Sequence, residues 1–271
     1  MNYYKISITS SAEMRDIIIA ILSQSNYNGF EENDFGFKTF IEEHQYEEAV
    51  IKSLADQFDF SYKVKLIPNQ NWNAVWESNF QPIQINDFCG IRADFHPNFP
   101  NVTHEITINP KMAFGTGHHE TTLSMMEIMQ DLNFQDKKVF DYGCGTGILA
   151  ILAAKMGANS ILAIDYDPLS YENTIENCKK NNIEQIEPRL GELSVVNDDE
   201  FDIILANINR NVILNSLPSL FLKIKETGQV LISGFLKSDI ALMTSTVEKI
   251  GFVIKKVVDK GEWVCMQLGK K

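Results

Sequence analysis

The stretch Val139-Phe-Asp-Tyr-Gly-Cys-Gly-Thr-Gly147 joins a β-branched and aromatic run to a glycine turn, and the apolar segment Ile148 to Gly157 follows it. This pattern predicts strand, loop and helix, with backbone N–H groups at the helix start free to receive an anion. The glycines are spaced Gly143-x-Gly145-x-Gly147. That is tighter than the G-x-G-x-x-G of dinucleotide sites, with less loop for a pyrophosphate and more room for a carboxylate. The spacing points to S-adenosylmethionine, held at Gly143 and Gly145. Asp165 ends the next apolar segment, where a carboxylate can accept both ribose hydroxyls. Asp167, just before Pro168, suits a helix cap better than a second ribose ligand.

From this point strands and helices alternate. Strands are expected at about 139–142, 160–165, 186–190, 201–206 and 229–234, and helices at about 147–156, 168–181, 211–224 and 238–250. Two last runs, Phe252 to Val258 and Trp263 to Leu268, are joined by Asp259-Lys-Gly-Glu262, which signals a hairpin. The fold class is therefore α/β: a doubly wound sheet of the class I methyltransferase type, closed by a C-terminal antiparallel hairpin. The hairpin separates it from a dinucleotide dehydrogenase.

The N-terminal part has a different rhythm. A strand at 3–9, a helix from Ala12 to Gln24, strands around Asn28–Glu32 and Phe35–Phe40, a helix from Gln45 to Phe58 and a strand through Tyr62, Val64 and Leu66 give the order βαββαβ. That order predicts a small ferredoxin-like α+β domain over residues 1–67. A linker helix over 68–80 carries Trp72, Trp76 and Phe80 on one face, as anchors for the linker or as a substrate-gripping surface. Residues 81–271 form the catalytic domain.

Phe201-Asp-Ile-Ile-Leu-Ala-Asn207 ends a strand at the carboxyl edge, where open α/β sheets bind ligands. Methyl transfer to an amine needs the neutral amine, which for a lysine costs about 4–5 kcal/mol at neutral pH. A nearby carboxylate raises that cost, whereas a neutral amide oxygen avoids it. Asn207 is the candidate catalytic residue; its competing role is to cap the following helix. Asn109-Pro-Lys-Met-Ala-Phe114-Gly-Thr-Gly-His-His119-Glu-Thr-Thr122 predicts a loop entering a helix, with Thr121 and Thr122 near its first turn. His118-His119 lacks zinc-site spacing, so no metal is expected.

The 271 residues carry a formal charge of −12, which argues against broad nucleic-acid binding and is compatible with a basic partner or simply with solubility. No apolar run is long enough for a membrane span, and the start, Met1-Asn-Tyr-Tyr-Lys5, lacks a secretory layout. Four scattered cysteines suit reduced thiols in the cytoplasm.

With these pieces the chain resembles the bacterial methyltransferases that modify protein eleven of the large ribosomal subunit. The resemblance rests on Asn73-Ala-Val-Trp76, the Phe114 to Thr122 loop, Asp141 to Leu149, Ile164-Asp-Tyr-Asp-Pro168, Ala206-Asn-Ile-Asn209 and Gly261-Glu-Trp-Val264. It implies cofactor contacts at Thr122, Gly143, Asp165 and Asn207, and an N-terminal domain that recognises the basic ribosomal protein. Lysine side chains and the terminal amine are the implied targets, and a monomer is the expected state. One departure is His118-His119-Glu120, where the family more usually has Thr-His-Pro. Two other classes stay open: a nucleic-acid amino-methyltransferase, though Ala206-Asn-Ile-Asn209 lacks a base-stacking aromatic, and a non-catalytic ribosome-binding module.

Overall fold

The structure, a computed structural model, describes residues 2–23, 25–33, 35–67, 80–109 and 114–271. The chain divides into two compact units, Met1–Val75 and Trp76–Lys271. Apart from Phe80, the linker helix expected at 68–80 lies outside the described residues, as do Trp72 and Trp76.

The first unit runs β1 (Tyr3–Thr9), α1 (Ala12–Ser23), β2 (Asn28–Asn33), β3 (Gly36–Glu42), α2 (Glu48–Phe58) and β4 (Ser61–Ile67). Its antiparallel sheet has the order β2-β3-β1-β4. Ile6 and Ile8 of β1, with Phe37 and Ile41 of β3, meet Ile18 and Leu22 of α1 and Ile51 of α2 in one core. Ile17 of α1 is 44% exposed although helical spacing alone would set it beside Met14 and Ile21. The face that packs is narrower and follows Met14, Ile18 and Leu22, each one turn apart. Helix α2 starts at Glu48 rather than Gln45, because the chain stays extended at Tyr46 and Glu47 and lays Tyr46 on Tyr4, 4.5 Å between ring centroids.

The second unit begins with a three-stranded sheet, β5 (Ile83–Ile85), β6 (Cys89–Arg92) and β7 (His104–Thr107), in which β6 and β7 are parallel. Next come α3 (Glu120–Met129), β8 (Lys138–Tyr142), α4 (Ile148–Lys155), β9 (Ser160–Asp165), α5 (Pro168–Lys180) and β10 (Ile186–Leu190). The chain ends with β11 (Phe201–Asn207), α6 (Arg210–Lys223), β12 (Ile224–Leu236), α7 (Ile240–Ile250), β13 (Phe252–Lys260) and β14 (Trp263–Lys270). Seven strands form the order β10-β9-β8-β11-β12-β14-β13, parallel as far as β12 and antiparallel over β14 and β13. Gly261 and Glu262 alone separate the last two strands, and Gly261 takes the positive φ of 57° that so short a turn requires.

Alternate residues of the central strands feed two cores, as a sheet buried on both sides demands. Val139, Ile161, Ile203 and Leu231 pack with α3 and α4 on one face, whereas Phe140, Leu162, Ile204 and Ile232 pack with α6 and α7 on the other. Helix α4 is apolar on every side, and residues 148–154 are all buried.

Candidate functional site

Strands β9 and β11 flank β8 on opposite sides, so the direction of winding reverses at the carboxyl end of β8. Such a reversal leaves a crevice. Here a cleft of about 1000 Å³ opens, lined by Gly143 and Gly145 from the loop after β8, Asp165 to Asp167 from the end of β9 and Asn207 to Asn209 from the end of β11. Phe114, His119, Thr121 and Trp263 close it on the β11 side of the sheet.

The N–H groups of residues 143–147 are engaged within the chain. Gly143 and Cys144 donate their N–H groups to the Ile164 carbonyl at 2.9 and 3.0 Å, Thr146 donates to the Phe114 carbonyl at 3.0 Å, and Gly147 to that of Cys144 at 2.8 Å. Gly145 donates to Asp165 Oδ2 at 2.9 Å. The anion at this helix start belongs to the chain itself: Asp141 Oδ2 accepts from the Ala150 N–H at 3.1 Å. A Cβ at Gly145 would stand 2.3 Å from the Phe114 carbonyl oxygen, so glycine is required there by the close approach of the neighbouring loop. Thr146 Oγ1 also donates to the Gly115 carbonyl at 2.5 Å, which clasps the 114–119 segment to the glycine loop.

Asp165 is buried and faces the cleft, with Oδ1 accepting from the Asp167 N–H at 3.0 Å. Each of its oxygens keeps a lone pair for a hydroxyl. Asp167 caps α5, accepting from the Leu169 and Ser170 N–H groups. Asp141 lies behind the loop and outside the cleft lining. Burial, aided by the charge of neighbouring Asp165, pushes its carboxyl up to about 7 against the bond from Ala150.

Asn207 is 9% exposed at the cleft floor. Its Nδ2 donates to Thr122 Oγ1 at 3.2 Å, while its Oδ1 is buried with no hydrogen-bond partner. The helix that follows is capped by Asn209, whose Oδ1 accepts from the Val212 N–H at 3.1 Å. The capping role weighed for Asn207 therefore belongs two residues later. Of the residues picked from sequence, the fold brings Gly143, Gly145, Asp165 and Asn207 to one cleft. Thr122 is fully buried and reaches the site through Asn207, and Thr121 lines the cleft in its place.

Sequence reasoning missed the aromatic wall. His119 caps α3 through Nδ1, which accepts from the Thr121 N–H, and its ring lies 4.8 Å from that of Trp263 and 5.3 Å from that of Phe114. His118 turns away to Phe80, at 4.8 Å. Among the described residues no group of three His, Cys, Asp or Glu side chains is placed to hold a metal, and no helix is long and apolar enough to cross a membrane.

The strand order, the reversed last pair and a ribose-type carboxylate at the end of the second parallel strand define a class I S-adenosylmethionine-dependent methyltransferase. Within that class the family profile described as ribosomal protein L11 methyltransferase (PrmA) matches residues 4–271, and the chain belongs to that family. It is similar to the ribosomal protein L11 methyltransferase of Porphyromonas gingivalis, 39% identical over 93% of this chain and 89% of the other. The Phocaeicola vulgatus protein of the same name is 35% identical over 98% of this chain and 99% of its own. Among solved structures, a ribosomal protein L11 methylase from Lactobacillus delbrueckii subsp. bulgaricus superposes with a TM-score of 0.66 at 30% identity, over 71% of this chain and 100% of that one.

Proposed function

We propose that this protein transfers methyl groups from S-adenosylmethionine to lysine side chains and the terminal amine of ribosomal protein L11, with Asn207 orienting the amine. The observation that carries the assignment is Asn207 lining the cleft at the carboxyl end of β11, its amide oxygen buried and unpartnered and its nitrogen tied to Thr122. A buried polar atom without a partner costs about 1–3 kcal/mol, a cost recovered when a ligand supplies the missing donor. When bound, the cofactor supplies a methyl group on a sulfonium, already electrophilic.

The chain must then hold a neutral amine in line and avoid stabilising its ammonium form. Strand order separates the two demands. Asp165, Asp167 and Glu192 line the cleft from β9 and beyond, whereas Asn207 and Trp263 come from β11 and β14, on the other side of β8. Two strand spacings, roughly 10 Å, lie between β9 and β11. The carboxylate suited to ribose hydroxyls thus stands away from the amide suited to the amine. Phe114, His119, Thr121, Asn207 and Trp263 bring no carboxylate to that end, and the rings offer an apolar wall to a lysine stem.

In this reading the βαββαβ unit is a ferredoxin-like substrate-recognition domain. Its eleven carboxylates against six Lys and Arg over residues 1–75 suit a basic ribosomal protein. Monomeric action in the cytoplasm completes the proposal, since the four free cysteines are all buried and suit a reducing compartment. The test is label transfer from S-adenosylmethionine to purified ribosomal protein L11, with other ribosomal proteins and ribosomal RNA in parallel. Label should enter lysines and the terminal amine of L11. Cofactor binding without label in L11 would end the substrate assignment, and label in RNA alone would favour the nucleic-acid alternative.

A further inference from the structure

The helices α1 and α2 cover one face of the N-terminal sheet, and among the described residues of this unit none of the helices covers the other. Register places Tyr3, Lys5, Ser7 and Thr9 of β1 on that second face, because Ile6 and Ile8 between them are in the core. Opposite them stand Lys38, Phe40 and Glu42 of β3 on one side, the Tyr3 hydroxyl donating to Glu42 Oε1 at 3.2 Å, and Lys63 and Lys65 of β4 on the other. Residues 1–75 contain five lysines, and four of them share this face although the unit as a whole is acidic. Lys63 and Lys65 sit on an edge strand, where lysines also guard against edge-to-edge pairing. That role does not extend to Lys5 and Lys38, which lie on the two central strands. Lys38 has Glu31 at 3.5 Å, whereas Lys5, Lys63 and Lys65 have no ion pair among the described residues.

Two aromatic rings interleave with this charge. Phe40 is in register with Lys5, and Tyr3 lies two residues along β1, 40% exposed. Diagonal neighbours of this kind are about 7–8 Å apart on adjacent strands, a separation two stacked bases can span. A lysine field alone would suit any acidic partner, but aromatic platforms on the central strands suit unpaired bases. The hydroxyls of Ser7 and Thr9 on the same face suit a ribose 2′-hydroxyl, the group that separates RNA from DNA. We infer that the open face of the β2-β3-β1-β4 sheet is a docking surface for single-stranded RNA. This surface is built from residues of the first unit alone and does not depend on the substrate assigned above. The formal charge of −12 opposes broad binding, so the contact is confined to this face.

The test is fluorescence anisotropy of the full-length protein with a short labelled single-stranded RNA of mixed sequence. If four lysines each neutralise a phosphate, affinity should fall about fifty-fold between about 50 and about 200 mM salt. The Lys63→Glu/Lys65→Glu double variant should weaken binding at least about tenfold, and Tyr3→Ser by about fivefold or more. Both variants should keep the wild-type far-UV circular dichroism spectrum and the wild-type melting transition of the first unit, which shows that this unit is folded. Absence of RNA binding at the lower salt, equal binding by the double variant, or equal binding of DNA of the same sequence would overturn the inference. Displacement of the RNA by equimolar polyglutamate would reassign the face to an acidic protein and overturn it as well.

Discussion

Asn207 and Thr122 work as a pair, since the threonine hydroxyl accepts from the amide nitrogen and so fixes the orientation of the amide at the cleft. Asn207→Ala should reduce kcat about a hundredfold or more while leaving cofactor affinity within a few fold, because orientation of the reacting amine is lost. Thr122→Val removes only the acceptor for Asn207 and should lower kcat about tenfold, with Thr122→Ser restoring it. Equal loss in the Val and Ser variants would show that the hydroxyl is not what matters. The residue scale is also where sequence stopped short. Asn207 and Asp165 were legible because each ends a strand, but Thr121 and Thr122 differ by a rotation of about 100° on the helix, and only packing decides which one meets the cleft. Asp141 was legible merely as a lead into the glycines. Its isolation depends on what surrounds it, and the consequence is a pH effect. Burial raises its carboxyl to about 7, above the roughly 3.9 of an unfolded chain, so the stability it contributes is complete below pH ~4 and is lost as pH rises through ~7. Denaturant midpoints of the ligand-free protein should therefore fall between about pH 4 and about pH 7, and Asp141→Asn should remove that part of the decline. Identical profiles for the two proteins would refute the assignment.

At the scale of elements, the glycine loop and the 114–119 segment form one unit of structure. Thr146 bonds to both Phe114 and Gly115, and Gly145 lies too close to Phe114 to carry a side chain. Gly145→Ala sets a Cβ against a backbone oxygen at a φ of +57°. The left-handed conformation alone costs about 1–2 kcal/mol, and the clash must be relieved by moving the Phe114 segment that lines the cleft. Calorimetry should find cofactor affinity reduced at least about tenfold, together with a lower melting temperature. An unchanged affinity would mean that the two loops are not coupled. The sequence marked both loops as separate motifs, because their contact joins residues about thirty positions apart and leaves no local periodicity. Short elements were hidden for a related reason. Strands β5 and β6 have three and four residues, too few to show alternation, although Ile83 with Ile85 hinted at the first. The long helices, the parallel strands and the closing hairpin were visible because each repeats its pattern over a full element.

Over the whole molecule the cores divide as the units do. Ile6 to Phe60 form one cluster within the first unit, and the two clusters that sandwich the seven-stranded sheet begin at Phe80. Each unit thus has a hydrophobic core of its own, which predicts independent folding of each. The cofactor cleft is drawn wholly from residues 114–263, all within the second unit. A protein comprising residues 80–271 should accordingly melt cooperatively and bind S-adenosylmethionine with nearly full-length affinity. Its methylation of intact ribosomal protein L11 should fall steeply through KM, because the proposed recognition domain is missing, while kcat measured with a free lysine-containing peptide stays within a few fold. This split separates the two assignments. Loss of cofactor binding in the truncated protein would show that the units depend on each other for folding, whereas full activity on intact L11 would take substrate recognition away from the N-terminal unit and place it at the aromatic wall of Phe114, His119 and Trp263.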